Sequence, residues 1–124
     1  MSKTVYLIDK DPAVIDVISL MLEDEGFHTV VASKPFAIQE VRDIDPALIL
    51  LHNGLDNHGV EICTALKADT ETLKIPVIMS STSINLPELS CNAGAEAYIF
   101  KPFDLADFCA LIRATLSSPD KACK

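Results

Sequence analysis

The stretch TVYLIDKDP, Thr4 to Pro12, carries two kinds of local structure within nine residues. Thr4 to Ile8 is β-branched and aromatic, which favours an extended chain. Asp11-Pro12 then offers a helix N-cap and a proline at the first helical position, where its missing N–H costs nothing. From Pro12 to about Glu25 the apolar residues Val14, Val17, Ile18, Met21 and Leu22 recur at spacings of three and four, and Gly26 supplies the stop. A strand therefore hands over directly to an amphipathic helix.

The same handover repeats along the chain. His28 to Ala32 reads as a second strand, after which Ser33 and Pro35 open a shorter helix carrying Ile38 and Val41. LILL, Leu48 to Leu51, has no alternation, which suits a strand covered on both faces. HNGLDNHG, His52 to Gly59, is rich in turn formers and precedes a helix over Val60 to Ala68. IPVIMS, Ile75 to Ser80, reads as the fourth strand, followed by a helix with Leu86, Leu89 and Ala93 that ends at Gly94. AYIF, Ala97 to Phe100, is the fifth, after which Asp104 caps a helix bearing Leu105, Phe108, Leu111, Ile112 and Leu116. Five strand-helix units with short connections predict a parallel five-stranded sheet with helices on both faces, a single doubly wound (βα)5 α/β domain. It is expected over residues 3–117, with 118–124 as a polar C-terminal tail.

Composition agrees with one globular domain. The chain has 124 residues, 49% apolar and 23% charged, so disorder is excluded and disulfides or a structural metal are not needed for stability. Eighteen acids against ten Lys plus Arg leave a net charge of −8, which repels phosphate backbones and anionic lipid surfaces. Nucleic-acid binding by this domain alone is not expected. No apolar run approaches the roughly 18 residues of a membrane span, and Thr4 to Ile8 is too short for the core of a signal peptide. Cys63, Cys91, Cys109 and Cys123 fit neither a zinc pattern nor a CxxC pair, so reduced thiols in a cytoplasmic protein are expected. Cys63, Cys91 and Cys109 fall in helix-like segments and Cys123 in the polar tail.

In doubly wound sheets chemistry gathers beyond the carboxyl ends of the strands. The residues there are Asp9, Lys10 and Asp11, then His52, then Ser81, then Lys101-Pro102. Their order, with LIDKDPAV, PALILL, LKADTETLKIPVIMSS and NAGAEAYIFKPFDL around them, resembles a response-regulator receiver domain of two-component signalling over essentially residues 3–117. The resemblance implies a flavodoxin-like fold and a signalling module, not an enzyme. It implies phosphoryl transfer from a histidine kinase to an Asp at the end of the third strand. Acids after the first strand would hold Mg²⁺, while a small hydroxyl and a lysine, here Ser81 and Lys101, would contact the phosphoryl oxygens. Tyr98 falls on the aromatic that switches with phosphorylation. Contacts with a histidine kinase or an output domain, and homodimerisation, would use the face of the fourth helix, fifth strand and fifth helix.

Two positions depart from that pattern. His52 stands where the acceptor Asp belongs, and Lys10 replaces the second metal-binding acid; the loop from His52 to Gly59 is also one residue shorter. Three carboxylates and one lysine give the family pocket about −2, whereas Asp9, Lys10, Lys101 and a neutral His52 give about +1. An ammonium about 4 Å from a divalent ion costs roughly 8 kcal/mol at an effective dielectric of about 20, although Lys10 can swing outward. Mg²⁺ binding is therefore expected to be weak or absent, with no catalytic residue and no cofactor. Asp11, directly before Pro12, reads first as a helix cap.

The resulting expectation is a pseudo-receiver that signals by protein-protein interaction and carries no phosphate. An ordinary receiver would need a surrogate acceptor, for which Asp56 is the nearby carboxylate. Alternatively, Lys10, Lys101, Ser81 and the first helix's N-terminus would hold an anion. An aspartyl-phosphate phosphatase of the haloacid dehalogenase type would match Asp9-Lys10-Asp11 but lacks a late acidic group, having Lys101-Pro102-Phe103 there. A flavin carrier lacks a phosphate-binding loop after the first strand.

Overall fold

The computed structural model describes residues 3–32, 36–54 and 57–117. Its strands are β1 (Thr4–Ile8), β2 (His28–Val31), β3 (Leu48–His52), β4 (Val77–Ser81) and β5 (Ala97–Phe100). Its helices are α1 (Pro12–Asp24), α2 (Ile38–Ile44), α3 (His58–Ala68), α4 (Leu86–Ala93) and α5 (Leu105–Ser117). The strands pair in parallel in the order β2-β1-β3-β4-β5. This is the doubly wound flavodoxin-like α/β fold that the repeated strand-helix pattern predicts.

Alternation along the strands sorts the core into two layers. Tyr6, Ile49, Leu51, Val77 and Met79 pack with Val41, Ile62, Leu66 and Leu86 from α2, α3 and α4. Val5, Leu7, Leu48, Leu50 and Ile78 pack with Ile18, Leu22, Phe108 and Ile112 from α1 and α5. LILL is fully buried because its residues serve both layers in turn. At the lower end of the sheet Lys67 fastens several pieces. Its Nζ lies 2.8 Å from Glu96 Oε1 and donates to the carbonyls of Leu73 and Ile75 at 3.0 and 2.7 Å.

Boundaries differ where backbone chemistry intervenes. β4 starts at Val77, not Ile75, since Pro76 has no N–H for the ladder and the Ile75 amide is turned to the Thr72 carbonyl at 3.0 Å. The strand also runs one residue further, taking in Ser81. α3 begins at His58 rather than Val60, and α2 begins at Ile38. The Ser33-Pro35 opening, Asp56, Cys123 and the tail over 118–124 lie outside the described residues. The expectation of reduced thiols fails at Cys91, which is disulfide-bonded.

Candidate functional site

The strand order reverses between β1 and β3, which opens a crevice above the carboxyl ends of the strands. Register puts the relevant side chains on one rim: Ile8 pairs Leu51, His52 pairs Ser80, and Ser81 pairs Phe100. Asp9, His52, Ser81 and Lys101 therefore meet there although they come from four strand ends.

Asp9 is the centre of the cluster and is buried. Its Oδ1 accepts the backbone N–H groups of Lys10 at 2.7 Å and Asp11 at 3.1 Å. Its Oδ2 accepts Lys101 Nζ at 2.9 Å, in an ion pair whose side chains are 15% and 3% exposed for Lys101 and Asp9. Burial alone would push the Asp9 carboxyl up. The Lys101 hydrogen bond, the Asp11 amide and the charges of Lys101 and His52 together outweigh it, so the group sits below the usual carboxylate range.

His52 ends β3 half-buried, and its Nδ1 is enclosed without a hydrogen-bond partner among the described residues. Burial first, then the positive charge of Lys101 and to a lesser degree Lys10, lower its pKa, against upward effects of Asp9 and the Ser80 backbone that do not outweigh them. The imidazole is thus neutral near pH 7. Ser81 is buried at the end of β4, where its Oγ accepts the Ser83 N–H at 3.1 Å. Its carbonyl accepts the Lys101 N–H at 2.9 Å, which fixes the start of the loop after β5.

Two expected residues lie outside this cluster. Asp11 is exposed and caps α1, its Oδ1 accepting the Ala13 N–H at 3.0 Å. Tyr98 is half-buried against the α2–α4 layer, with its ring edge-on to Phe100 at a centroid distance of 5.9 Å.

Asn53 and Gly59 organise the site from beneath, and no sequence pattern singled them out. Asn53 is fully buried; its N–H donates to the Ser80 carbonyl at 2.8 Å, its Oδ1 accepts the Val60 N–H at 3.0 Å, and its Nδ2 donates to Asn57 Oδ1 at 3.1 Å. The Val60 N–H in the first turn of α3 is thus shared between Asn53 Oδ1 and the Asn57 carbonyl at 3.1 Å. Gly59 lets the turn close over β3. A Cβ there would stand 2.8 Å from both the Asn53 Cα and the His52 carbonyl oxygen.

The donor set does not suit the magnesium ion that the receiver resemblance implies. A hard cation asks for several free oxygen ligands. Here the buried carboxylate has one oxygen on an ammonium and the other on two amides. The neighbouring positions carry Lys10 and His52. Among the described residues no three His, Cys, Asp or Glu side chains converge.

The model of the response regulator receiver domain matches residues 5–113, so the chain belongs to the receiver-domain family. The chain is 30% identical over 120 residues to the DNA-binding response regulator MtrA of Mycolicibacterium smegmatis, covering 94% of this chain and 51% of that protein. It is 31% identical over 121 residues to the DNA-binding dual master transcriptional regulator RpaA of Synechocystis, covering 94% and 50%. The chain thus spans about half the length of these relatives. A CheY-like response regulator receiver domain from Methanospirillum hungatei superposes with a TM-score of 0.82 at 26% identity, covering 96% of this chain and 97% of that one. The protein is therefore a receiver domain of two-component signalling, a class of module that meets histidine kinases and output domains. No helix among the described residues is long and apolar enough to cross a membrane.

Proposed function

We propose that this receiver is a pseudo-receiver: a cytoplasmic interaction module that is not phosphorylated and does not bind Mg²⁺. One observation carries the reading. The buried carboxylate that remains in the crevice, Asp9, is held by Lys101 at 2.9 Å, and the third strand ends in His52 rather than an acid. A carboxylate that should neutralise a cation instead neutralises a lysine, and an imidazole whose enclosed Nδ1 has no hydrogen-bond partner among the described residues stands at the position of the acceptor acid. Function then rests on shape and surface. The face of α4, β5 and α5 is proposed for contacts with a kinase, an output domain or a second copy. Phe100 is 43% exposed on edge strand β5, and Ile84, just before α4, is 88% exposed. DNA binding is a property of MtrA and RpaA; none is proposed for this domain, whose charge is −8.

Intact mass after incubation with acetyl phosphate and Mg²⁺ tests the proposal. An unchanged mass is expected, and gain of one phosphoryl group, at His52, Asp56 or elsewhere, would overturn it.

A further inference from the structure

We propose that Cys91 is bonded to Cys123, so that the chain after α5 is latched to α4 by a disulfide whose reduction opens the α4–β5–α5 face. The consequence rests on the reading of that face given above, whereas the bond itself does not.

The chain has four cysteines. Cys91 is disulfide-bonded, while Cys63 and Cys109 are thiols. Their surroundings agree. Cys63 is buried on α3 with its Sγ 3.5 Å from the Ala93 carbonyl oxygen, and Cys109 on α5 turns toward the end of α1, its Sγ 3.5 Å from Glu25 Oε1. Within one chain, Cys123 is what is left for Cys91.

Topology brings the two ends together. α4 and α5 each begin above the carboxyl end of a strand and run back along the sheet. The last turn of α4, which holds Cys91, and Ser117 at the end of α5 therefore stand at the same lower end of the molecule. The two helices belong to opposite layers, and edge strand β5 lies between them. Cys123 is six residues beyond Ser117, a reach of at most about 20 Å when extended. A chain tethered from Ser117 to Cys91 has to cross the lower end of β5, within the face proposed for partners.

Cys91 is partly exposed on the flank of α4, beside the core-facing Ser90 and Ala93, so a reductant can approach it. The switch is thiol-disulfide exchange with a dithiol. One thiolate of the reductant attacks Cys91 Sγ and releases Cys123 as a thiolate, which the neighbouring charges of Lys121 and Lys124 favour. The second thiolate of the reductant then attacks its own sulfur in the mixed disulfide and releases Cys91. Both cysteine thiolates take up a proton, and the reductant, having given up two electrons, leaves as its disulfide. In a cytoplasmic module such a bond is a redox-responsive latch rather than a permanent staple.

The test takes the full chain, equilibrated with glutathione disulfide, through non-reducing peptide mapping. The expected product is a linked pair of Cys91 with Cys123, with Cys63 and Cys109 open to alkylation after denaturation. A dithiol in native buffer should remove the link. Amide exchange at the lower end of β5 and in the last turns of α4 and α5 should then quicken by at least about tenfold. Cys123→Ser should exchange at the reduced rate with or without the dithiol. Cys91 left as a thiol, or linked to another cysteine of the chain or of a second copy, would overturn the proposal. So would a bond that resists the dithiol until the chain unfolds, exchange unchanged at β5, or a Cys123→Ser chain that still responds to reduction. The phosphodonor experiment reads other atoms: a phosphorylated chain can still carry the latch, and a chain without the latch can still take no phosphate.

Discussion

Lys101 and Asp9, ninety-two residues apart, form a nearly buried ion pair at 2.9 Å that ties the loop after β5 to the end of β1. Burial makes the pair asymmetric in its consequences. Losing one partner leaves an uncompensated charge, whereas replacing both by neutral groups of similar size is nearly harmless. Lys101→Ala should therefore destabilise the fold by about 3 kcal/mol in urea unfolding, while Asp9→Asn with Lys101→Met stays within about 1 kcal/mol of the native chain. Additive losses in the double variant would show that the pair is not coupled.

The two shifted groups of the crevice set separate pH windows. His52 has a folded pKa below its ordinary value of about 6.5, so the unfolded chain takes up the proton first and stability falls as pH drops below that value. Asp9 is lowered from 3.8, so its contribution is complete above that pH and is lost as pH falls through the folded value. Unfolding free energy should thus decline between about pH 7 and 5.5, and His52→Asn should flatten that decline while leaving the acid limb in place. A native chain equally stable at both pH values would count against the buried neutral imidazole.

The fold was legible because each strand is short, apolar and followed at once by a cap or turn. TVYLI, LILL and AYIF appear as strands at or within one residue of their reading, and Asp11 and Asp104 cap the helices that follow. The pocket residues were legible for a related reason: in a parallel sheet every strand end lies on one rim, so position after a strand is position in the site. What escaped depends on contacts between distant segments. Glu96 gives no sequence sign that it will meet Lys67 twenty-nine residues away. Asn53 reads as one more turn former in HNGLDNHG, because its bond to the Val60 N–H in α3 reaches across seven residues, beyond the two or three of a usual cap.

Gly59 offers a direct check of this support. An added Cβ would meet backbone at Asn53 and His52 at 2.8 Å, atoms that cannot rotate away. Gly59→Ala should cost about 1 to 3 kcal/mol and move the His52 amide resonance, because relief requires lifting α3 from the end of β3. Asn53→Ala should cost about 1 kcal/mol by removing the buried side-chain hydrogen bonds to the Val60 N–H and to Asn57, while the Val60 N–H keeps the Asn57 carbonyl. If Gly59→Ala is neutral, the close approach of helix to strand is not a constraint on the site.

Restoring the lost chemistry requires two substitutions rather than one, and the reason is charge. His52→Asp alone sets two carboxylates against Lys10 and Lys101, a pocket of net zero with no reason to draw a divalent cation. It should remain unmodified by acetyl phosphate. Lys10→Asp together with His52→Asp gives three carboxylates against Lys101, a net of about −2, and removes the ammonium most opposed to a metal ion. The double variant should bind Mg²⁺ at roughly millimolar concentration, seen as amide shifts at residues 9–11 and 52, and should gain mass with the phosphodonor. Equal phosphorylation of the single variant would mean that Lys10 swings clear of the crevice and that the acceptor alone decides the chemistry. Failure of both would place the block in the Asp9–Lys101 pair itself, which the incoming ion must compete against for the same oxygen.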